Sequence, residues 1–223
     1  MPGQIDPHRR ALLLDFDGTL ADTLPGLRSV YESFLQHIGA AQSAPHFEQV
    51  NGANLLHLVQ DLCRQHVPAR DAVAEWRAYW ACVEAAVRDA APADGARQLI
   101  AWARQQGWAV GIGSASRSDL IAAWLAHHAL AGQIDSIVGA DQCERGKPDP
   151  AIYQLLAANL RVDKNNCVII EDSDSGVASA VAAGIYVIQL TAGRPANGAI
   201  YRAQSLTAAL DYLQQRFNPA RVC

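Results

Sequence analysis

The sequence is poor in the residues that mark several large classes of protein. Only Lys147 and Lys164 are lysines, and the other basic residues are dispersed arginines. No basic stripe of the kind that binds a phosphate backbone is present, so we expect no nucleic-acid partner. The 5 cysteines form no CxxC pair and are odd in number. Both facts argue against a disulfide framework or a cysteine metal site.

Long apolar segments are also missing. The first ten residues, MPGQIDPHRR, lack the apolar region of a signal peptide, and no apolar run approaches the ~20 residues of a membrane helix. We therefore expect a cytoplasmic protein with no membrane partner. Of the 223 residues, 50% are hydrophobic and 18% are charged, with a net charge of -4, so a substantial core can form. This length fits one large domain or one domain with an insertion.

Short apolar segments alternate with helix-like segments along most of the chain. Five segments are continuously apolar or rich in β-branched residues and predict strands: 11–16, 108–113, 134–139, 167–170 and 185–190. Five other segments have helical patterns: 96–106, 118–129, 150–160, 176–183 and 206–216. This alternation predicts an α/β fold with a Rossmann-like parallel sheet, whose ligands bind at the carboxyl ends of the strands.

Residues 24–91 interrupt this alternation. They show helical periodicity and almost no strand signal, with helix breakers at Gly39, Pro45, Gly52 and Pro68. We predict an inserted α-helical domain over these residues. The sheet domain then comprises residues 1–23 and 92–223.

An acidic motif follows the first predicted strand. Side chains alternate along a strand, so Asp15 and Asp17 should project to one side while Phe16 enters the core. Two close carboxylates ionise more easily beside a cation, and oxygen ligands suit Mg²⁺. Asp-Gly alone would indicate only a turn. The four fixed residues of D-x-D-G-T, however, arise by chance about once in 10⁵ positions.

Three later segments place polar residues at the same predicted edge. Ser114 ends the segment WAVGIGS, Glu171 and Asp172 end CVIIED, and Lys147 lies in GKPDP before a helix. Each also has an ordinary interpretation: an N-cap serine, an acidic pair capping the next helix, or a solvated surface lysine. Two acids that end an apolar strand favour metal chemistry over capping.

Together the four segments resemble the four motifs of the haloacid dehalogenase superfamily, over about residues 12–193. The resemblance implies a phosphatase with Asp15 as nucleophile and Asp17 as general acid and base. Ser114 and Lys147 would stabilise the charge of the transferring phosphoryl group. The helical insertion would be the family's cap, which closes over the site.

The resemblance also implies a Mg²⁺ cofactor and a small phosphorylated metabolite as partner. The implied metal set, in which Asp17 contributes its backbone carbonyl, is Asp15, Asp17, Glu171 and Asp172. The candidate substrate-binding residues are Thr19, Ala115, Asn54, His57 and Arg77. Phosphoglycolate phosphatases tend to carry a further acid where this chain has Gly176, and Glu171 is expected to replace its water-mediated metal contact. We expect a monomer or a homodimer.

Particular residues of the chain distinguish between the activities of the superfamily. Asp17 argues against dehalogenation, and the absence of lysine from residues 24–91 argues against phosphonatase chemistry. We expect a phosphatase for a sugar phosphate or a phosphoglycolate-like acid. The alternative is a phosphosugar mutase resembling β-phosphoglucomutase, which GSAS and EDSDSG fit. Leu27, where mutases carry a histidine, and the lack of arginine in residues 52–55 disfavour it. A non-catalytic phosphometabolite-binding protein is the third possibility.

Overall fold

The computed structural model describes residues 9–50, 55–191, 198–199 and 201–217. The chain divides into two compact units: Met1–Ala21 with Pro92–Cys223, and Asp22–Ala91. In the part of the chain that is described, no helix is both long and apolar enough to cross a bilayer.

The first unit is built on a parallel sheet. Its strands, among the described residues, are β1 (Ala11–Leu14), β2 (Ala109–Gly113), β3 (Ser136–Val138), β4 (Cys167–Glu171), β5 (Tyr186–Leu190) and β6 (Tyr201–Ala203). The strand order is β3-β2-β1-β4-β5-β6, and every pairing is parallel. The prediction of an α/β, Rossmann-like parallel sheet is therefore confirmed.

Helices follow most of these strands, as a parallel sheet requires. In the first unit they are α5 (Ala96–Gln105), α6 (Ser118–His127), α7 (Ala151–Leu160), α8 (Asp174–Ala183) and α9 (Leu206–Phe217). All residues of β1, β2 and β4 are buried, which explains their continuously apolar sequences.

The second unit is helical. Its helices are α1 (Leu24–His37), α2 (Phe47–Val50), α3 (Leu55–His66) and α4 (Ala72–Asp89). Phe34 of α1 packs against Tyr79 of α4 with ring centroids 5.0 Å apart, and the Asp71 side chain caps α4 by accepting from the Val73 amide. These contacts give the unit an aromatic core of its own.

The observed strands differ from the sequence prediction at several ends by one or two residues, and one further strand is present. The strand β1 ends at Leu14 rather than Phe16, because the carbonyl of Phe16 turns to accept hydrogen bonds from the amides of Leu20 and Ala21. The strand β6 was not predicted. Its three residues, with Arg202 exposed, are too few to show an alternating pattern.

Candidate active site

The predicted motifs meet at the carboxyl ends of neighbouring strands. Asp15 follows β1, Ser114 follows β2, and Glu171 ends β4 with Asp172 immediately after it. Because β1 lies between β2 and β4, these side chains reach the same edge of the sheet. The topology thus brings together residues that are far apart in sequence.

A tight turn follows β1 and contains the second aspartate of the first motif. The Phe16 side chain is fully buried and meets Trp124 edge-to-face, with ring centroids 5.1 Å apart. Gly18 has a φ of 79°, and its amide donates to the carbonyl of Ala21 at 3.0 Å. A side chain at position 18 would strain this turn, so Gly18 permits the sharp exit from β1.

The ammonium of Lys147 lies between two carboxylates. Its Nζ is 2.5 Å from Asp15 Oδ1 and 2.5 Å from Glu171 Oε1, and the lysine side chain is only 4% exposed. A buried ammonium is stable only when it is paired, and here it has two partners. The interpretation of Lys147 as a solvated surface lysine is therefore wrong.

Both oxygens of Glu171 accept hydrogen bonds. Besides Lys147, Oε1 accepts from the hydroxyl of Tyr153 at 2.7 Å. Oε2 accepts from the amide and the hydroxyl of Ser173 at 3.2 and 3.0 Å. Ser173 is also the N-cap of α8, where its hydroxyl accepts from the Gly176 amide. Ser173, and not the acidic pair, therefore caps this helix.

The carboxylate of Asp17 is held by two serines. Its Oδ2 accepts from the hydroxyl of Ser116 at 2.6 Å and from that of Ser114 at 3.3 Å. The Ser116 amide in turn donates to Ser114 Oγ at 3.0 Å. The sequence motif points to Ser114 and not to Ser116. Its spacing of two from Ser114 within the motif GSAS was the available signal.

Three carboxylates form a group that could hold a cation. Asp15, Glu171 and Asp172 each offer an oxygen, and these atoms all lie within 4.8 Å of one another. Hard oxygen donors at such distances fit Mg²⁺. The carboxylate of Asp17 is not in this group, and a role for its backbone carbonyl stays a prediction.

The electrostatics of the site are dominated by excess negative charge. Burial, together with the Glu171 carboxylate, raises the pKa of Asp15 well above its ordinary value, although Lys147 opposes the shift. Burial and Glu171 likewise raise the pKa of Asp172 to about 7. For Lys147, burial lowers the pKa, but Asp15 and Glu171 outweigh it and leave the pKa well above its ordinary value. A divalent cation would offset the uncompensated charge of these carboxylates.

The predicted substrate-binding residues have varied positions. Thr19 is fully buried and donates its hydroxyl to Asp172 Oδ1 at 3.4 Å, and Ala115 is exposed beside Ser114. Arg77 is exposed on α4. Asn54 lies outside the described residues, as does the side chain of His57. Substrate binding by these residues stays a prediction.

Known proteins match this chain over most of its length. Residues 12–190 match the family model described as haloacid dehalogenase-like hydrolase. Fructose-1-phosphate phosphatase YqaB of Escherichia coli K12 is 29% identical, over 80% of this chain and 95% of its own. The plasmid phosphoglycolate phosphatase of Cupriavidus necator is 29% identical, over 95% of this chain and 94% of its own.

Solved structures agree on the fold. The crystal structure of β-phosphoglucomutase from Clostridium difficile has a TM-score of 0.78 and 19% sequence identity, and the match covers 96% of this chain and 100% of that one. At this identity the likeness supports the fold alone.

The close approach of Glu171 to α8 generates a stability prediction. A Cβ at Gly176 would lie 1.8 Å from Glu171 Oε1. We expect Gly176→Ala to lower the free energy of unfolding by about 1 to 3 kcal/mol, because the carboxylate or the helix must move. That range is the net change: the cost of moving the carboxylate or the helix should exceed the roughly 1 kcal/mol by which alanine favours a helix over glycine. Urea unfolding of the purified variant measures the change.

Gly132→Ala is the matched control. A Cβ at that position meets nothing within 4 Å, so we expect its free energy of unfolding to stay within about 0.5 kcal/mol of the parent. Equal stability of Gly176→Ala and Gly132→Ala would contradict the crowding of Glu171 against α8.

Proposed function

Because this chain belongs to the haloacid dehalogenase-like hydrolase family, we propose that it is a Mg²⁺-dependent phosphatase acting through an aspartyl-phosphate. One observation carries the proposal. The carboxylate of Asp15 is buried at the end of the central strand β1, in contact with the ammonium of Lys147 and close to the acid Asp172. Such a carboxylate has the surroundings that a nucleophile toward phosphorus requires.

Two steps account for hydrolysis. An Asp15 carboxylate oxygen bonds to phosphorus, the bond from phosphorus to the ester oxygen breaks, and Asp17 donates a proton to the departing alkoxide. A water molecule then attacks the phosphorus of the aspartyl-phosphate while Asp17 removes its proton, which releases orthophosphate and restores the Asp15 carboxylate. The serine hydroxyls at 2.6 and 3.3 Å keep the Asp17 carboxylate oriented for both transfers.

Positive charge and hydroxyl donors stabilise the transferring group. The Lys147 ammonium, 2.5 Å from Asp15 Oδ1, would neutralise charge on the phosphoryl oxygens. The Ser114 hydroxyl would donate to them by giving up its longer hydrogen bond to Asp17, which Ser116 then still orients. Lys147 therefore has two functions in the proposal. It holds the nucleophile in place, and it stabilises the anion that the nucleophile attacks.

The acidic group suits a resident Mg²⁺ ion. Asp15 and Asp172 would hold it, with the Asp17 carbonyl as a further oxygen ligand. Glu171, whose two oxygens already accept hydrogen bonds, would contact it through water. When bound, Mg²⁺ neutralises phosphate charge and orients the phosphoryl group.

The relatives favour a small substrate. One is a fructose-1-phosphate phosphatase and another a phosphoglycolate phosphatase, each matched over more than nine-tenths of its own length. We infer a sugar phosphate or a phosphoglycolate-like acid as substrate. The helical unit Asp22–Ala91 is the candidate cap, and its candidate specificity residues are Asn54, His57 and Arg77.

The nucleophile assignment is tested with Asp15→Asn. We expect the variant to lose orthophosphate release from sugar phosphates and 2-phosphoglycolate by at least about 10³-fold, because a neutral amide cannot attack phosphorus. The variant should keep the fold of the parent, as its circular dichroism spectrum would show, because the amide has the size of the carboxylate and Glu171 still pairs with Lys147. Asp211→Asn, on the exposed side of α9, is the control and should keep full activity.

Persistent turnover by Asp15→Asn would disprove the assignment. If the parent protein interconverted hexose phosphate isomers in the presence of a bisphosphate primer, and released little orthophosphate, the mutase alternative would hold. Binding of these esters without any turnover would support the non-catalytic alternative.

Ser116 provides a second test. Ser116→Ala removes the shorter of the two hydrogen bonds to Asp17, so we expect kcat to fall by about 10-fold with little change in melting temperature. The control, Ser136→Ala, lies at the start of β3, away from the carboxyl ends of the strands, and should leave kcat unchanged. Equal kcat values in the two variants would remove Ser116 from the proposed machinery.

Metal removal should make stability depend on pH. The folded-state pKa values of Asp15 and Asp172 are raised above those of an unfolded chain, so their favourable contribution is complete below about pH 4. This contribution is lost as pH rises through the folded-state pKa values, and the folded-state pKa of Asp172 is about 7. Without divalent cations we expect the melting temperature to fall between about pH 5 and about pH 8.

Added Mg²⁺ should reverse this loss at the upper pH, because it binds the ionised carboxylates of the folded state. Asp172→Asn should show a smaller fall with pH and a smaller response to Mg²⁺. Thermal melts with a chelator and with Mg²⁺ measure both effects. A melting temperature at about pH 8 that Mg²⁺ does not raise would contradict the proposed metal site.

A further inference from the structure

We propose that the hydroxyl of Tyr153 positions the phosphoryl-transfer site by holding Glu171 so that the Lys147 ammonium stays shared with Asp15. This inference rests on the proposed function and deepens it. Tyr153 is a positioning residue: it makes no contact with the substrate and acts only through Glu171 and Lys147.

The position of Tyr153 makes its hydroxyl a fixed donor. The residue lies in the first turn of α7, is fully buried, and donates to Glu171 Oε1 at 2.7 Å. Its ring packs against β2, where a Cβ at Gly113 would come within 3.1 Å of ring atom Cε1. The absence of a side chain at Gly113 therefore lets α7 carry the hydroxyl to the carboxyl ends of the strands.

One oxygen of Glu171 links the tyrosine to the lysine. Oε1 accepts from both Tyr153 and Lys147, while Oε2 is occupied by Ser173. This oxygen accepts both hydrogen bonds at once, so the tyrosine hydroxyl holds it in place and offsets part of the negative charge that attracts the ammonium. Without that hydroxyl, Oε1 would carry more uncompensated charge and would lose a fixed donor, so Glu171 could move and draw the ammonium away from Asp15.

The aromatic ring can be separated from the hydroxyl. The Nζ of Lys147 is 5.1 Å from the centroid of the Tyr153 ring, within cation–π range. Tyr153→Phe keeps this ring and its packing against β2, and it removes only the hydroxyl. Any change in the position of the lysine then reports the hydrogen bond to Glu171.

Steady-state kinetics of Tyr153→Phe with the best phosphate ester of the parent provides the test. We expect kcat to fall by about 10-fold and KM to stay within about 2-fold, because the hydroxyl acts on the nucleophile rather than on substrate binding. Tyr186→Phe is the control, since it removes another tyrosine hydroxyl of the same unit, at the start of β5 and away from the carboxyl ends of the strands. It should leave kcat unchanged.

A crystal structure of Tyr153→Phe gives a readout independent of activity. We expect the distance between Lys147 Nζ and Asp15 Oδ1 to lengthen from 2.5 Å to beyond hydrogen-bond range. An unchanged distance, or a kcat equal to that of the parent, would overturn the inference. So would a change confined to KM.

Glu171→Gln keeps the test valid if Tyr153→Phe does not fold. Tyr153 is proposed to act through the Glu171 carboxylate, so the kcat of Glu171→Gln should fall at least as far as that expected for Tyr153→Phe. A kcat of Glu171→Gln equal to that of the parent would overturn the inference. The failure of the underlying function is separate, because a parent protein without phosphatase activity refutes the function. An active parent with an unaffected Tyr153→Phe refutes only the role of the tyrosine.

Discussion

The buried contact of Lys147 with Asp15 and Glu171 is the interaction on which the site depends. Each carboxylate ends or follows a strand of the same sheet, and their mutual repulsion in a buried setting would be unfavourable without the ammonium between them. Truncating the lysine would leave two acids with uncompensated charge, and truncating either acid would leave the ammonium less well paired. The three side chains therefore stabilise one another as a unit, and none can be assigned an independent energy.

This unit does not neutralise the site. Asp172 adds negative charge beside Glu171, and burial together with this charge raises the pKa values of Asp15 and Asp172. Ionising these acids in the folded protein therefore lowers its stability. A protein selected for stability alone would replace such acids with apolar residues. Their presence at the carboxyl ends of the strands has a physical reason if a bound cation offsets this charge.

The sequence predicted the sheet and the main acidic residues because their signals are local. Continuous apolar runs specified β1, β2 and β4, and the motif resemblance to the superfamily is confirmed by the family match over residues 12–190. Tyr153 has no such local signal, because its position in the sequence pattern is that of an ordinary buried residue on α7. Its partner Glu171 is 18 positions away, and no periodicity connects them. Substrate binding by Thr19 stays a prediction. Its hydrogen bond to Asp172 joins residues 153 positions apart, which only the fold brings together.

The side chain of Glu171 fills the space beside Gly176, so the residues at positions 171 and 176 constrain each other. The carboxylate of Glu171 occupies the space that a side chain at position 176 would enter, with a closest approach of 1.8 Å. An acid from the end of β4 and an acid from the first turn of α8 therefore cannot occupy this space together. In this chain the acid is Glu171 at the end of β4. Its carboxylate contacts Lys147 and Tyr153 and lies close to the other two acids of the acidic group. Because Glu171 ends β4, its carboxylate links Lys147 and Tyr153 to the end of that strand, where Asp172 follows.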